Sequence, residues 1–391
     1  MQKIAFVPPW FGENIPGGAE MELRGLATHL HEANIDVEVI TTCVKDFNSD
    51  WNQNYYKQGI EFVYDIPVRR FPVRKRNVRL FDQVNYKLMN QIEISKAEEK
   101  TYIEEMINSP EMYRYINENS NKYDAFIYIP YMFGTTYYGC KACPEKAILI
   151  PCFHDESYLY LDIYKDVFEH IKGIIYHAQP EYDLANRVFN FKNVKQAVLG
   201  EGVYTDVKGS ETAFRKKYNI NSPFIVYAGR KDKGKNVDTL VQYFNEYKKR
   251  NINELKLILI GGGEIEISKD IRSDVIDLGF VSMQEKYDAF TASLCLCQPS
   301  KNESFSLVIM ESWLCSRPII VHQDCNVTSY FAEQAEGGLY FKDYFEFEGC
   351  VNYLIDNVEK ANSMGENGRK FVLENYSWEV ITKKYLDFIK S

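Results

Sequence analysis

The chain has 391 residues and no run of about 18 apolar residues, the length that a membrane-spanning helix needs, so we expect no transmembrane segment. Its start, MQKIAFVPPWFG, lacks the long apolar core of a secretory signal peptide. Nine cysteines are scattered along it, and the single CxxC pair, Cys140 with Cys143, has no second pair downstream. A zinc or redox site is therefore not expected, and a reduced, cytoplasmic chain fits best.

An excess of positive charge is also missing, since 46 Lys and Arg face 55 Asp and Glu, for a net charge of −9. A general nucleic-acid binder needs a basic face, so we expect no nucleic-acid partner. The exception is a stretch with six cations: Arg69, Arg70, Arg74, Lys75, Arg76 and Arg79. Two interpretations stay open for it, a solvated basic loop or a patch that meets an anionic membrane surface or a lipid-diphosphate head group.

What the sequence has in plenty is aromatic side chains, with 29 tyrosines and 24 phenylalanines. Aromatic rings fill cores, and they also stack on flat or ring-shaped ligands. The length suggests two or three domains with proper cores.

Short runs rich in Ile, Val, Phe and Tyr alternate with helical patterns, which is typical of parallel sheets with helices on both faces. A first series begins with Lys3–Val7 and the helix Gly18–Ala33. It continues with the strand candidates Ile35–Thr41, Glu61–Asp65, Ala125–Ile129, Ala147–Phe153, Gly173–His177 and Lys195–Leu199.

The pattern restarts after the glycine-rich segment Gly200–Gly209, which predicts a second α/β domain. Its strand candidates are Phe224–Ala228, Leu255–Ile260, Val275–Leu278, Leu294–Cys297 and Pro318–Val321. The chain closes with an amphipathic helix over Trp378–Ile389. Many charges between Asp82 and Asn119 indicate polar helices that elaborate the first domain.

The stretch PSKNESFSLVIME holds two carboxylates, Glu303 and Glu311, around an apolar segment. We expect Pro299 to end a strand and Ser304 or Ser306 to cap the helix that follows. Glu303 would then lie in the loop at the carboxyl edge of the sheet, where open parallel sheets bind ligands. The helix N-terminus there suits a phosphate, and carboxylates suit hydroxyls. Taken alone, both acids could equally be solvated.

Three further segments could carry chemistry. Arg230 and Lys235 stand in GRKDKGKN, a strand-to-helix turn where a diphosphate would find cations, although a solvated turn fits too. Gly17 and Gly18 in PGGAE let a backbone approach a ligand closely. His154 follows a strand and is ionisable near neutral pH, although a lone histidine is often structural.

Together these segments resemble the retaining GT-B glycosyltransferases of family 4, over nearly the whole chain and most securely over Tyr227–Gln323. The family has an E-x7-E motif, and PSKNESFSLVIMES carries it with Ser304 and Ser306 where two glycines usually stand. GRKDKGKN is similar to the family's Gly-Arg…Lys-Gly turn, PGGAE to its N-terminal glycine loop, and His154-Asp155 to its active-site histidine position. LGFVSMQEKYDAF resembles the segment that contacts the nucleotide base, and the closing helix resembles the family's terminal helix.

The resemblance implies two Rossmann-like domains that face a central cleft, with the last helix crossing back to the first domain. We expect an acceptor-binding domain over 1–204 plus 377–391, elaborated at about 69–120, and a donor-binding domain over 205–376. By the resemblance, Glu303 would bind hydroxyls of the donor sugar and Glu311 the ribose hydroxyls. Arg230 and Lys235 would neutralise the departing diphosphate, with help from the backbone N–H groups at Ser306 and Leu307, and Phe280 and Val281 would contact the base. His154 would hydrogen-bond the transferred sugar, and Gly17 and Gly18 would line the diphosphate or the acceptor.

The implied reaction moves a hexose from a UDP- or GDP-linked sugar to a sugar or lipid-linked saccharide, as in bacterial surface polysaccharide synthesis. Because the sequence has no Asp-x-Asp and its cations can stabilise the departing diphosphate, we expect no metal and no cofactor. The acceptor is expected against the first domain, with the basic stretch Arg69–Arg79 and the helices over Asp82–Asn119 as the candidate contacts. A peripheral contact of the basic stretch with the inner membrane face is a further implication.

Two alternatives remain. An epimerase or a phosphorylase could use the same fold, and a degenerate sugar-binding or scaffold protein would retain the fold without turnover.

Overall fold

A computed structural model describes residues 3–13, 15 and 17–391 of the chain. The chain divides into two compact units. Unit 1 runs to Gly202 and also contains Trp378–Ser391, and unit 2 is Val203–Ser377. Within the described residues, no helix combines the length and the apolar character that crossing a membrane requires.

Unit 1 is built on an eight-stranded sheet in the order β3-β4-β2-β1-β5-β6-β7-β8. Every neighbouring pair is parallel except β3 with β4. Most of its central strands are apolar and fully buried, as expected for parallel strands covered on both faces. The strands are β1 Ile4–Val7, β2 Val37–Thr42, β3 Gly59–Val63, β4 Ile66–Phe71, β5 Ala125–Tyr128, β6 Ala147–Leu149, β7 Gly173–Tyr176 and β8 Lys195–Val198.

Seven helices of unit 1 follow these strands. The buried face of the first one carries Leu23, Leu26, Ala27 and Leu30, the residues that the sequence pattern places there. The helices are α1 Gly18–Glu32, α2 Val78–Met89, α3 Lys96–Glu104, α4 Pro110–Glu118, α5 Gly134–Ala142, α6 Asp162–Phe168 and α7 Gln179–Val188.

The elaboration between β4 and β5 is less polar in its packing than its charges suggest. Phe81, Leu88, Tyr102 and Met112, on three different helices, are buried in the same core cluster as the central strands. These helices are therefore part of the core of unit 1.

Strand β4 is not among the predicted strands, and its last residues belong to the basic stretch for which a solvated loop was one interpretation. It forms a hairpin with β3 through Tyr64 and Asp65, both in the left-handed region at φ 52° and 60°. Of the two interpretations left open for the basic stretch, the solvated loop is therefore wrong at Arg69 and Arg70, since both residues lie in the strand.

Unit 2 contains a six-stranded parallel sheet in the order β11-β10-β9-β12-β13-β14. Its strands are β9 Phe224–Ala228, β10 Lys256–Ile260, β11 Val275–Gly279, β12 Cys295–Gln298, β13 Ile319–His322 and β14 Gly338–Phe341. Its helices are α8 Glu211–Tyr218, α9 Val237–Arg250, α10 Met283–Ala292, α11 Leu307–Leu314, α12 Asn326–Gln334, α13 Tyr344–Asp356 and α14 Val358–Asn375.

The last helix, α15 (Trp378–Lys390), belongs to unit 1. The ring of Trp378 stacks on His29 of α1 at 4.5 Å between centroids. A Cβ added at Gly25 would lie 2.2 Å from the Trp378 ring, so this packing requires a glycine on α1. The predicted class, two parallel-sheet α/β domains with a final helix on the first, is confirmed.

Candidate active site

In unit 2 the sheet itself marks where a ligand would bind. From β9 the chain builds outward through β10 and β11 on one side, then returns to place β12, β13 and β14 on the other side. The strand order therefore reverses between β9 and β12, and ligands of open α/β sheets bind at the carboxyl ends of the strands at such a point. The turn after β9 and the loop after β12 both lie at this edge.

The turn and the loop are joined by two side chains. Lys235 Nζ lies 2.7 Å from Glu303 Oε1, and Asn236 Nδ2 donates to the carbonyl of Pro299 at 3.0 Å. Gln298, the last residue of β12, also donates to Glu303 Oε1, at 3.3 Å. Glu303 is thus a fixed carboxylate that a lysine neutralises at the switch point.

Glu311 lies inside α11, is buried, and is neutralised by a second lysine. Lys286 of α10 donates to both of its oxygens at 2.7 and 2.8 Å. Burial raises the pKa of the Glu311 carboxyl, and the Lys286 ammonium and a hydrogen bond from Tyr287 oppose that rise. The ion pair with Lys286 thus stabilises the charged form of Glu311 at a position where burial alone would favour the neutral acid.

The start of α11 differs from the expected cap. Ser306 occupies the N-cap position in the left-handed conformation at φ 76°, and its side chain makes no capping hydrogen bond among the described residues. Ser306 therefore occupies the predicted N-cap position, but the side-chain hydrogen bond expected of such a cap is not made in the described part of the chain. The first N–H groups of α11, which begins at Leu307, keep the donor capacity of a helix N-terminus.

The turn after β9 carries four cations, Arg230, Lys231, Lys233 and Lys235, which are placed differently. Arg230 is mostly exposed, with its Nε 3.4 Å from Asp232. Lys231, the next residue in the turn, is buried, and its Nζ pairs with Asp277 Oδ1 at 2.5 Å. Arg230 and Lys233 are exposed, and Lys235 is partly exposed beside Glu303, so these three cations of the turn are the ones that a bound anion could reach.

The expected base-contacting residues lie near the glycine run after β10. Phe280 is 87% exposed, and a Cβ added at Gly262 would lie 2.5 Å from its ring. Val281 beside it is partly buried. The Phe280 ring thus lies over a backbone without side chains and leaves a flat apolar face to solvent.

In unit 1 the glycine loop follows β1. Gly17 has φ 138°, and a Cβ there would lie 1.9 Å from Glu20 Oε2, whereas a Cβ at Gly18 would meet nothing within 4 Å among the described atoms. Glu20 in turn accepts from Trp10 Nε1 at 2.8 Å. Pro16, the first residue of the PGGAE motif, lies outside the described residues.

His154 lies in the loop after β6 and is partly buried. The backbone N–H of its neighbour Phe153 donates to Glu181 at 2.7 Å, and so does the backbone N–H of His177. The ring of His177 contacts Glu22 of α1 at 2.8 Å. One buried carboxylate thus fixes the His154 loop to the end of β7.

The basic stretch does not form one surface. Arg69 pairs with Glu38, Arg70 is buried against Glu61, Arg74 pairs with Glu105, and the Arg76 guanidinium stacks on Trp51 and Phe81. Only two of the six cations, Lys75 and Arg79, are exposed.

Sequence reasoning missed the groups that hold these residues in place. Lys286 was inside a quoted motif, but the sequence has no signal that pairs it with Glu311, 25 residues away. His177 was placed at the end of a predicted strand, and no role was expected for Gln298 or Glu181. Cys140 and Cys143 are free and buried, and burial raises the pKa of both thiols, so neither is poised to react.

Comparison with known proteins shows what this arrangement is similar to. Residues 210–371 match the sequence model of the family described as glycosyl transferases group 1. Among curated proteins, the alpha-D-kanosaminyltransferase of Streptomyces kanamyceticus is 22% identical over 182 residues, which cover 44% of this chain and 47% of that protein. The match thus spans about half the length of this relative.

Solved structures resemble the chain over its full length. The crystal structure of Anabaena Alr3699/HepE in complex with UDP and glucose matches with a TM-score of 0.72 at 13% identity, covering 100% of both chains. Sucrose-phosphate synthase from Thermosynechococcus elongatus matches with a TM-score of 0.71 at 16% identity, covering 100% of this chain and 98% of that one. At these identities the likeness establishes the fold, and the GT-B prediction is confirmed.

Proposed function

Because residues 210–371 match the sequence model of glycosyl transferases group 1 and the fold is GT-B, we propose that the chain is a retaining, metal-independent hexosyltransferase. It takes a hexose from a UDP- or GDP-linked sugar and passes it to a hydroxyl of a saccharide or lipid-linked saccharide. The observation that carries this proposal is the pair of lysine-held carboxylates, Glu303 and Glu311, at the switch point of unit 2.

The departing diphosphate is the charge that such a site must stabilise. Arg230 and Lys235 supply cations, and the N-terminus of α11 at Ser306 and Leu307 supplies backbone N–H groups and a positive dipole end. Fixed groups of this kind stabilise developing charge without the cost of reorganisation, which is a large term in catalysis. They make a metal unnecessary for this role.

The two carboxylates bind different parts of the donor, the transferred sugar and the ribose. Glu303, fixed by Lys235 and Gln298, accepts hydrogen bonds from hydroxyls of the transferred sugar. Glu311, held beside Lys286, accepts from the ribose hydroxyls. Phe280 and Val281 contact the base. Because this contact is made by backbone and an apolar ring, both uridine and guanosine are kept as candidates.

Unit 1 contributes the acceptor side. His154 hydrogen-bonds the transferred sugar, and Gly17 and Gly18 line the diphosphate or the acceptor. Retention follows from attack on the face that the diphosphate leaves, with the phosphate oxygen taking the acceptor proton. The acceptor proposed is a growing bacterial surface polysaccharide.

A peripheral membrane contact rests on α2 and the residues before it. Lys75 and Arg79 are exposed, and so are Leu80, Tyr86 and Met89. Cations beside exposed apolar side chains suit an anionic bilayer surface. Sedimentation with anionic and with neutral vesicles tests this part separately. Binding that is equal on both vesicle types would count against it.

The reaction itself is tested by NMR of the chain incubated with single nucleotide sugars, with and without a mixture of saccharides. The proposal predicts release of nucleoside diphosphate that rises with a saccharide present, survives EDTA, and gives a product with the donor's anomeric configuration. A new nucleotide sugar without diphosphate release would indicate an epimerase. Binding without turnover would indicate a degenerate domain. An inverted product would refute retention.

A further inference from the structure

The carboxyl edge of the unit 1 sheet bears an aromatic cluster that the proposed function leaves unused. It surrounds Trp10, which follows β1, and includes two residues of the segment after β2. Phe47 lies 5.9 Å and Trp51 6.0 Å from the Trp10 ring, and Phe47 and Trp51 lie 5.8 Å from each other, all between centroids. Phe133, after β5, packs on both tryptophans.

The cluster is buried at its base and open at its top. Trp10 and Phe133 are 3% and 4% exposed, whereas Phe47 is 57% exposed and Trp51 partly exposed. An exposed phenylalanine supported by buried rings presents a flat apolar face. Rings of this kind are typical of binding surfaces.

The segment that carries Phe47 and Trp51 is held firmly. Asn52 accepts from the Arg76 N–H at 2.6 Å, and Asn54 accepts from the Val73 N–H at 2.9 Å. The Arg76 guanidinium lies 4.8 Å from the Trp51 ring centroid. The aromatic face is therefore preorganised, which lowers the cost of binding.

The cluster is continuous with the glycine loop. Trp10 donates to Glu20, the last residue of PGGAE, at 2.8 Å. The hydroxyls of Thr41 and Thr42 hold the carbonyls of Pro8 and Pro9, which lead into Trp10. A ligand stacked on Phe47 would thus lie beside the loop that the proposed function assigns to diphosphate or acceptor.

The polar surroundings indicate the class of ligand. The segment 45–57, KDFNSDWNQNYYK, has two lysines and two aspartates, so its charge is balanced. Arg76, the cation over the Trp51 ring, is itself offset by Asp50, Asp82 and Glu105. A pyranose ring has an apolar face of C–H groups, which matches the exposed face of Phe47, and an edge of hydroxyls, which stays hydrated in such a contact. A phosphorylated ligand would call for excess cations.

We propose that Phe47 and Trp51 form a saccharide subsite of unit 1, where a neutral pyranose ring of the acceptor stacks on the exposed aromatic face. This inference rests on the proposed function, because the transferase assigns unit 1 the acceptor. It names the class of that acceptor at this position, an uncharged sugar.

The test uses the methyl pyranosides of glucose, galactose, mannose and N-acetylglucosamine as probes, with saturation-transfer NMR on the full chain. Variants are Phe47→Ala, the conservative Phe47→Tyr, and the control Phe62→Ala, which removes a ring that is 72% exposed on the edge strand β3. At least one pyranoside should bind the unaltered chain. Phe47→Ala should weaken it by about two- to tenfold, the range for one aromatic contact. Phe47→Tyr and Phe62→Ala should bind as before.

The subsite is refuted if none of the pyranosides binds the unaltered chain, or if Phe47→Ala binds them as well as Phe62→Ala does. It is also refuted if Phe47→Ala instead shifts a self-association equilibrium seen by sedimentation, because the face would then be a contact between copies. UDP and GDP are titrated into the same samples. Nucleotide binding without pyranoside binding overturns this inference alone, whereas pyranoside binding without nucleotide binding overturns the proposed donor site.

Discussion

Replacing Ser306 with glycine should stabilise unit 2, although glycine usually destabilises folded proteins. Ser306 sits at φ 76° and ψ 77° at the start of α11. Its hydroxyl is buried without a hydrogen-bond partner among the described residues. Both features cost free energy, and glycine removes both.

The magnitude follows from three contributions. A non-glycine residue in the left-handed region costs about 1–2 kcal/mol, and a buried hydroxyl without a partner costs about 1 kcal/mol or more. Against these gains, glycine raises the conformational entropy of the unfolded chain, which destabilises the folded state by about 0.5–1 kcal/mol. Ser306→Gly should therefore gain about 1–2 kcal/mol, or roughly 2–4 °C in Tm for each kcal/mol in a unit of this size.

The assay is thermal unfolding of the ligand-free chain with two comparison variants. Ser306→Ala keeps the left-handed residue and removes only the hydroxyl, so it should gain less than Ser306→Gly. Ser304→Gly, two residues earlier where φ is not positive, should lose about 0.5–1 kcal/mol, because glycine there only adds unfolded-state entropy. If Ser304→Gly and Ser306→Gly shift Tm in the same direction, the reasoning about backbone conformation at Ser306 fails.

Three other changes test the sites. Lys286→Met leaves the buried Glu311 without its lysine and should destabilise the fold by about 3 kcal/mol near pH 8. Without the lysine the pKa of the Glu311 carboxyl rises further, so the stability of the variant falls as pH rises above about 4.3. Urea unfolding should therefore show a much smaller loss of stability near pH 5, and an equal loss at both pH values would contradict the ion pair. His177→Gln should destabilise the fold more at pH 5.5 than at pH 9. Burial lowers the pKa of His177, but the flanking glutamates outweigh it and raise this pKa well above its ordinary value, so the stabilisation from the charged histidine is complete below about pH 6.5 and is lost as pH rises through the folded-state pKa. A loss of stability that does not depend on pH would show that the histidine is neutral. Gly17→Ala should cost about 1–3 kcal/mol by strain, whereas the neighbouring Gly18→Ala, measured by the same thermal unfolding, should change little; equal losses would contradict the assigned backbone.

The fold was largely predictable because buried parallel strands consist of short runs of apolar residues. β9 was predicted with the bounds that the structure shows, Phe224–Ala228. β4 was missed because Pro67, Arg69 and Arg70 interrupt its apolar pattern, and because its turn uses Tyr64 and Asp65 instead of the Asn-Gly typical of such hairpins. Arg70 is buried through its contact with Glu61 and the Tyr56 ring, a long-range arrangement that local patterns do not show.

The candidate site was predictable where it depends on spacing along one element. Glu303 and Glu311 were placed correctly in a loop and a helix, because a strand, a proline and a helical run surround them. Their partners were not predictable, since Lys235 and Lys286 come from other elements that the sheet topology brings to the same edge. The left-handed Ser306 was hidden as well, because serine there looks like an ordinary helix cap.

The lysine-held carboxylates of unit 2 should bind a nucleoside-diphosphate sugar. The most direct measurement is calorimetric titration of UDP and of GDP into the unaltered chain, Glu311→Gln, and the control Glu348→Gln, whose carboxylate in the same unit accepts from Arg250 and Asn251. We expect one nucleotide to bind, and Glu311→Gln to weaken its binding about 10- to 100-fold through the loss of charged hydrogen bonds. Glu348→Gln should leave nucleotide binding unchanged. If neither nucleotide binds, or if Glu311→Gln binds like the unaltered chain, the claim is contradicted.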